Sequence, residues 1–133
     1  MTYLIRLTLG QIHATDYSNV CVTGFFDPFR LEWLDWMIDM LGIPKTMLPE
    51  IRDTAGDWGK IHADIFGAEI AIRCVISDQG ASLFGSFCFE CGDVRLSMGT
   101  GSFLSMNTGR NPHCSVSGNV IVMHLFEIFL QVT

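Results

Sequence analysis

The feature that most constrains the fold is the junction from Glu69 to Glu90. Ile70, Ile72, Val75 and Ile76 form a run nearly continuous in β-branched residues. Such a run suits a strand buried on both faces of a sheet, so a strand over Glu69 to Ile76 is expected. Ser77-Asp78-Gln79 follows at once, and Gln79 to Glu90 carries the apolar stripe Leu83, Phe84, Phe87 and Cys88 before Cys91-Gly92 stops it. A strand running directly into a helix points to an α/β architecture. The carboxyl end of such a strand is where α/β sheets bind ligands. Two roles stay open for Asp78 on its residues alone: a helix N-cap that accepts backbone N–H bonds, or a carboxylate facing a ligand.

Composition sharpens this. Of 133 residues, 49% are hydrophobic and only 17% are charged, where average domains carry about 25% charge. The excess of apolar surface calls for a membrane, a partner or a missing part of the same fold. The most apolar stretch, Val120 to Leu130, is broken by His124 and Glu127 and is shorter than the roughly 20 residues that span a bilayer. No membrane span and no secretory signal are expected, and a cytoplasmic location follows. The net charge is −6, with ten acids against four bases between Asp16 and Glu69. No basic stripe exists, so nucleic acid is not an expected partner. A single nucleotide is compatible, because backbone N–H groups hold phosphates without lysines.

The five cysteines are Cys21, Cys74, Cys88, Cys91 and Cys114. An odd count in a chain without a signal argues against a disulfide scaffold. A zinc site could be drawn from Cys88, Cys91, His113 and Cys114, but His113 and Cys114 are adjacent, which suits one tetrahedron poorly. Cys88 is therefore read as a small core hydrophobe, and no metal-ligating residue is assigned.

Along the chain, Tyr3 to Leu9 reads as a helix end and Asp16 as the N-cap of a short helix. Leu31, Leu34, Met37, Ile38 and Leu41 recur on one helical face, predicting a helix from Leu31 to Leu41 closed by Gly42. Trp33 and Trp36 fall off that face, so cover on more than one side is expected. Lys45 to Leu48 suggests one helical turn, and Ile51 to Lys60 a polar loop. Ile61 to Phe66 reads as a strand that turns at Gly67 into the strand Glu69 to Ile76. Val94 to Met98 and Ser102 to Met106 read as strands around Gly99-Thr100-Gly101. Those two glycines permit positive φ and close approach of an anion, although an ordinary hairpin turn has the same composition.

Taken together, Ser77 to Gly109, SDQGASLFGSFCFECGDVRLSMGTGSFLSMNTG, resembles the FGGY carbohydrate kinases and, within them, the glycerol kinase branch. HATDYSNV at His13 to Val20 and GIPKTMLPEIRDTAGDWGKI at Gly42 to Ile61 extend the likeness, and TGFFDP and RDTAG look most like a glycerol kinase 5-like branch. The resemblance implies an actin-like ATPase (ribonuclease H-like) two-domain α/β kinase that transfers phosphate from ATP, with Mg²⁺, to a hydroxyl of glycerol or a related polyol or sugar. By carry-over, Asp78 is the catalytic base and Gln79 binds the polyol. Phe103 lines the substrate site, and Gly99, Thr100 and Gly101 contact the ATP phosphates. Gly80 departs from the family, which usually has a second Gln there.

The same resemblance implies that residues 1–91 close the N-terminal domain and that residues 92–118 open the second. Residues 119–133 would be a tail unlike the family. The chain then reads as an internal fragment, inactive alone, of a longer protein that could be a homo-oligomer. A non-catalytic kinase-like interaction module is the alternative.

Overall fold

The computed structural model describes residues 12–110. The helix expected at Tyr3 to Leu9, the His113-Cys114 pair and Val120 to Leu130 lie outside them. The described chain is a mixed α/β structure of short elements. Strand β1 (Ala14–Asp16) is wholly buried and pairs in parallel with β4 (Glu50–Arg52), Ala14 opposite Glu50 and Asp16 opposite Arg52. A parallel pair requires a long crossover, and residues 17–49 supply it. They hold helix α1 (Tyr17–Val20), strands β2 (Phe26–Asp27) and β3 (Glu32–Trp33), and helix α2 (Asp35–Met40). The Trp33 indole N–H donates to the Pro49 carbonyl at 3.1 Å and ties the crossover to the approach of β4.

The helix expected over Leu31 to Leu41 is shorter than its periodicity implied. Asp27 Oδ1 accepts the Phe29 and Arg30 N–H groups at 2.9 and 3.1 Å, holding a turn in place of a helical start. Leu31 then takes φ 61°, and Glu32 and Trp33 pair back on Asp27 and Phe26. Only from Asp35 does the chain become helical. Ile38 on α2 is fully buried and Trp33 half-buried, whereas Trp36 is 62% exposed, so the expected cover does not reach Trp36 among the described residues. The expected stop is there. Gly42 at φ 66° donates to the Asp39 carbonyl and the Ile43 N–H to the Ile38 carbonyl, both at 3.1 Å. This is a Schellman closure, which needs a left-handed residue at that place.

A second set of corrections concerns the middle of the chain. Only Lys60–Ile61 (β5) is strand in the stretch from Ile61 to Phe66, and Ala63–Phe66 is a helical turn (α3) closed by Gly67 at φ 76°. Strand β6 is Ile70–Ala71 and pairs antiparallel with β5. Beyond it the ladder continues irregularly, with Trp58 N–H on Ile72 O, Gly56 N–H on Arg73 O and Val75 N–H on Thr54 O. The supposed polar loop Ile51 to Lys60 thus opens in β4, and from Thr54 onward it is the pairing partner of the β-branched run. Ile70 is 47% exposed while Val75 is buried, so burial on both faces does not hold along that run among the described residues. The core cluster is Ala14, Trp58 and Val75, with Ile12 and Ile72 packed on it.

Helix α4 (Asp78–Gly85) starts one residue before the expected span and ends well before Glu90. Phe87 adopts φ 59°, and Cys88 N–H returns to the Leu83 carbonyl at 3.2 Å, which closes the helix. Strands β7 (Val94–Met98) and β8 (Ser102–Met106) pair antiparallel at the boundaries expected, and Asn107 anchors their open end through Gly92 N–H and the Cys88 carbonyl. No helix among the described residues is long and apolar enough to cross a membrane.

Gly42 gives the first test. A Cβ there meets no atom within 4 Å, so the cost of a side chain is purely that of the left-handed backbone, about 1–2 kcal/mol. Gly42→Ala is expected to lower unfolding free energy in urea by about 1 kcal/mol, with an unchanged dependence on denaturant concentration.

Candidate functional site

The site is built around the first turn of α4. The Ser77 hydroxyl accepts the Gly80 N–H at 3.2 Å and is the N-cap. Of the two roles left open for Asp78, capping is therefore taken by its neighbour. Asp78 is exposed at the first helical position, where a carboxylate suits the helix dipole, and its Oδ1 accepts the Gln79 N–H at 2.8 Å. No ion pair among the described residues engages it. Gln79 is half-buried, and its buried Oε1 has no hydrogen-bond partner among the described residues. A buried acceptor of this kind is costly unless a donor reaches it.

Beneath this turn lies a polar cluster. Asp16 is 0% exposed. Its Oδ2 accepts the Ser18 N–H at 3.0 Å, the Ser18 hydroxyl and the Thr54 hydroxyl at 2.8 Å. Its Oδ1 accepts the Asn19 N–H and side-chain amide. Asp16 is thus the N-cap expected for α1. Its link to Thr54, and that of Ser18 Oγ to the Ser77 N–H at 2.7 Å, went unread in the sequence. The one available signal was that HATDYSNV and RDTAG both carry the resemblance.

The other half of the expected site is the turn between β7 and β8. Gly99, Thr100 and Gly101 are exposed, and Gly99 N–H donates to Gly101 O at 3.0 Å. Neither glycine has a positive φ, which corrects the reason expected for them. At Gly101 an added Cβ would lie 3.0 Å from the outer edge of the exposed Phe103 ring, which would have to turn aside. Phe103 faces Ser97 across the ladder and is 56% exposed. The structure therefore groups Asp78 with Gln79, and Gly101 with Phe103. No hydrogen bond among the described residues joins the two groups. The turn sits at the hairpin tip, roughly 15 Å along the strands from the Asn107 anchor.

Of the residues from which a zinc site could be drawn, only Cys88 and Cys91 lie among the described ones. Cys88 is buried and Cys91 exposed, and the described residues gather no group of three or more His, Cys, Asp or Glu side chains able to hold a metal. Cys74 lies near the Asp16 cluster. Although the residue is exposed, desolvation raises the pKa of its thiol and the Asp16 charge raises it further. The thiolate is the nucleophile, so at pH 8 Cys74 should react more slowly with iodoacetamide in the folded chain than in urea. Peptide mapping by mass spectrometry reads the two rates.

The N-terminal domain pattern of the FGGY family of carbohydrate kinases matches residues 1–85. Glycerol kinase 5 of Danio rerio is 46% identical over 115 residues, 86% of this chain and 22% of that protein. Glycerol kinase of Halorhodospira halophila is 43% identical over 119 residues, 88% of this chain and 24% of that protein. Among solved structures, Plasmodium falciparum glycerol kinase with ADP superposes with a TM-score of 0.85 at 28% identity, covering 95% of this chain and 25% of that one. The chain thus spans less than a quarter of the length of these two curated relatives. Its α/β fold is that of the matching part of an actin-like ATPase kinase. With the family pattern across residues 1–85 and these relatives agreeing on the same stretch, the chain belongs to the FGGY family of carbohydrate kinases.

Proposed function

We propose that the chain carries part of a site that transfers the γ-phosphoryl group of ATP to a hydroxyl of glycerol or a related polyol or sugar. One observation carries the reading: Ser77 caps α4, so the exposed Asp78 carboxylate gives the helix only Oδ1, on the Gln79 N–H, and keeps Oδ2 for a ligand. An alcohol is a poor nucleophile at neutral pH. In this reading Asp78 accepts its proton as the oxygen attacks the γ-phosphorus, a contribution of about 10²–10⁴ in rate. Gln79 offers its unpartnered oxygen to a second hydroxyl. Phe103 walls the carbon side of the substrate. Gly99, Thr100 and Gly101 meet the phosphates through backbone donors and a hydroxyl, as electrostatic stabilisation requires. The names of the relatives support glycerol as substrate, and the ADP in the Plasmodium falciparum structure supports the nucleotide.

Magnesium ordinarily binds through one or two carboxylates and substrate phosphates. In this reading it arrives on ATP, and no residue of the chain is assigned to it. Residues 1–91 belong to the first domain, residues 92–118 open the second, and residues 119–133 lie outside both. Base and phosphate turn then sit on different domains, and closure assembles the site. A cytoplasmic location is part of this reading.

A second reading, a non-catalytic interaction module, draws on the apolar face of the β7–β8 hairpin. Val94, Leu96, Met98, Leu104 and Met106 are each more than half exposed there.

One experiment separates the two. Residues 12–110 replace the matching segment of Danio rerio glycerol kinase 5, and ADP release is followed with glycerol and Mg-ATP. Glycerol-dependent turnover that falls about 10²–10⁴-fold in Asp78→Asn is the expected result. A folded chimera without turnover favours the module, and turnover indifferent to Asp78→Asn removes the base.

A further inference from the structure

We propose that Asp16 is a positioning residue for Asp78, acting through Ser18 and Ser77. This rests on the reading of Asp78 as general base. The argument begins with a missing device. A helix N-cap serine usually accepts the N–H of the third helical residue, while a Glu or Gln side chain at that residue returns to the cap's own N–H. In α4 the third residue is Gly80, which has no side chain to return. The orphaned Ser77 N–H is instead taken by Ser18 Oγ, 59 positions away in the chain, at 2.7 Å.

Ser18 is in turn fixed. Its hydroxyl spends its one proton on Asp16 Oδ2, which leaves its lone pairs for Ser77. Asp16 does not swing away from this task. It is fully buried, its Oδ1 is occupied by Asn19, and its Oδ2 also takes the Thr54 hydroxyl from 38 positions away. One carboxylate therefore caps α1 directly and sets the entry of α4 through a single hydroxyl. Asp78 is the next residue after Ser77, so its backbone inherits that setting. A general base must be held within hydrogen-bond reach of its proton, and a displacement of about 1 Å is enough to cost two orders of magnitude in rate.

The test is amide hydrogen exchange and ¹³C spectroscopy on the labelled 133-residue chain. In Ser18→Ala, Asp16 still caps α1, so the Ser18 and Asn19 amides stay protected. The Ser77 amide is expected to exchange at least tenfold faster than in the wild type, and the Asp78 carboxyl resonance to shift. An unchanged Ser77 amide overturns the proposal. So does a faster Ser77 amide with an unmoved Asp78 resonance, because that is what a merely structural contact gives. Should Ser18→Ala fail to fold, the isosteric Thr54→Val reads the same two signals by withdrawing one donor from Asp16. Thr54→Ser is expected to restore both, and a Thr54→Ser chain indistinguishable from Thr54→Val overturns the proposal. Asp78→Asn alters no member of this network. The base can therefore fail in turnover while the positioning result stands, and the reverse.

Discussion

A buried carboxylate is the constraint on which the described part of the molecule turns. An ionised group withdrawn from water costs several kcal/mol unless its oxygens are met by donors. Asp16 sits at the end of β1 with no exposure, and every donor that meets it comes from the start of α1 or from the 54–61 segment. The packing around it follows. β1 lies parallel to β4, which delivers the chain to Thr54, and the pairing of residues 54–61 with 70–75 delivers it to Ser77. The apolar cluster of Ala14, Trp58 and Val75 joins the same three segments. Hydrophobic burial draws them together, and the Asp16 hydrogen bonds fix how they meet. Arg52 stacks over Trp58 with its guanidinium 5.9 Å from the ring centroid, which covers the core from the β4 side.

How much of this the residues announce depends on the range of the forces involved. The hairpin Val94 to Met106 was legible to its boundaries, because its alternation and its glycine turn are local. Asp16 and Gly42 were legible as caps for the same reason. Leu31 to Leu41 misled, since a perfect apolar period says nothing of Asp27 capturing two amides just upstream. The β-branched run Glu69 to Ile76 misled in a second way: its composition suits burial on both faces, yet among the described residues Ile70 is 47% exposed.

The site divides along the same line. Asp78, Gln79, Phe103 and the Gly99-Thr100-Gly101 turn came from a resemblance in motif, and the structure supplied reasons that the motif lacks. Ser77 caps in place of Asp78, and the Phe103 ring lies against the turn at Gly101. The role of Asp16 beyond its own helix was not legible. It depends on hydroxyls 38 and 59 positions apart in pairings that no periodicity encodes.

Those separations also govern the order in which the molecule can assemble. Local pieces such as the β2–β3 turn and the β7–β8 hairpin need only short loops to close, and loop closure costs more as the intervening chain lengthens. The entry of α4 instead joins Ser18 to Ser77 across 59 positions, and the Asp16–Thr54 bond beneath it spans 38. Contacts of that range are the slow ones in folding. On a chain made from the N-terminus, Ser77 follows Ser18 by 59 residues, so the bond that seats α4 cannot form until that length has been synthesised.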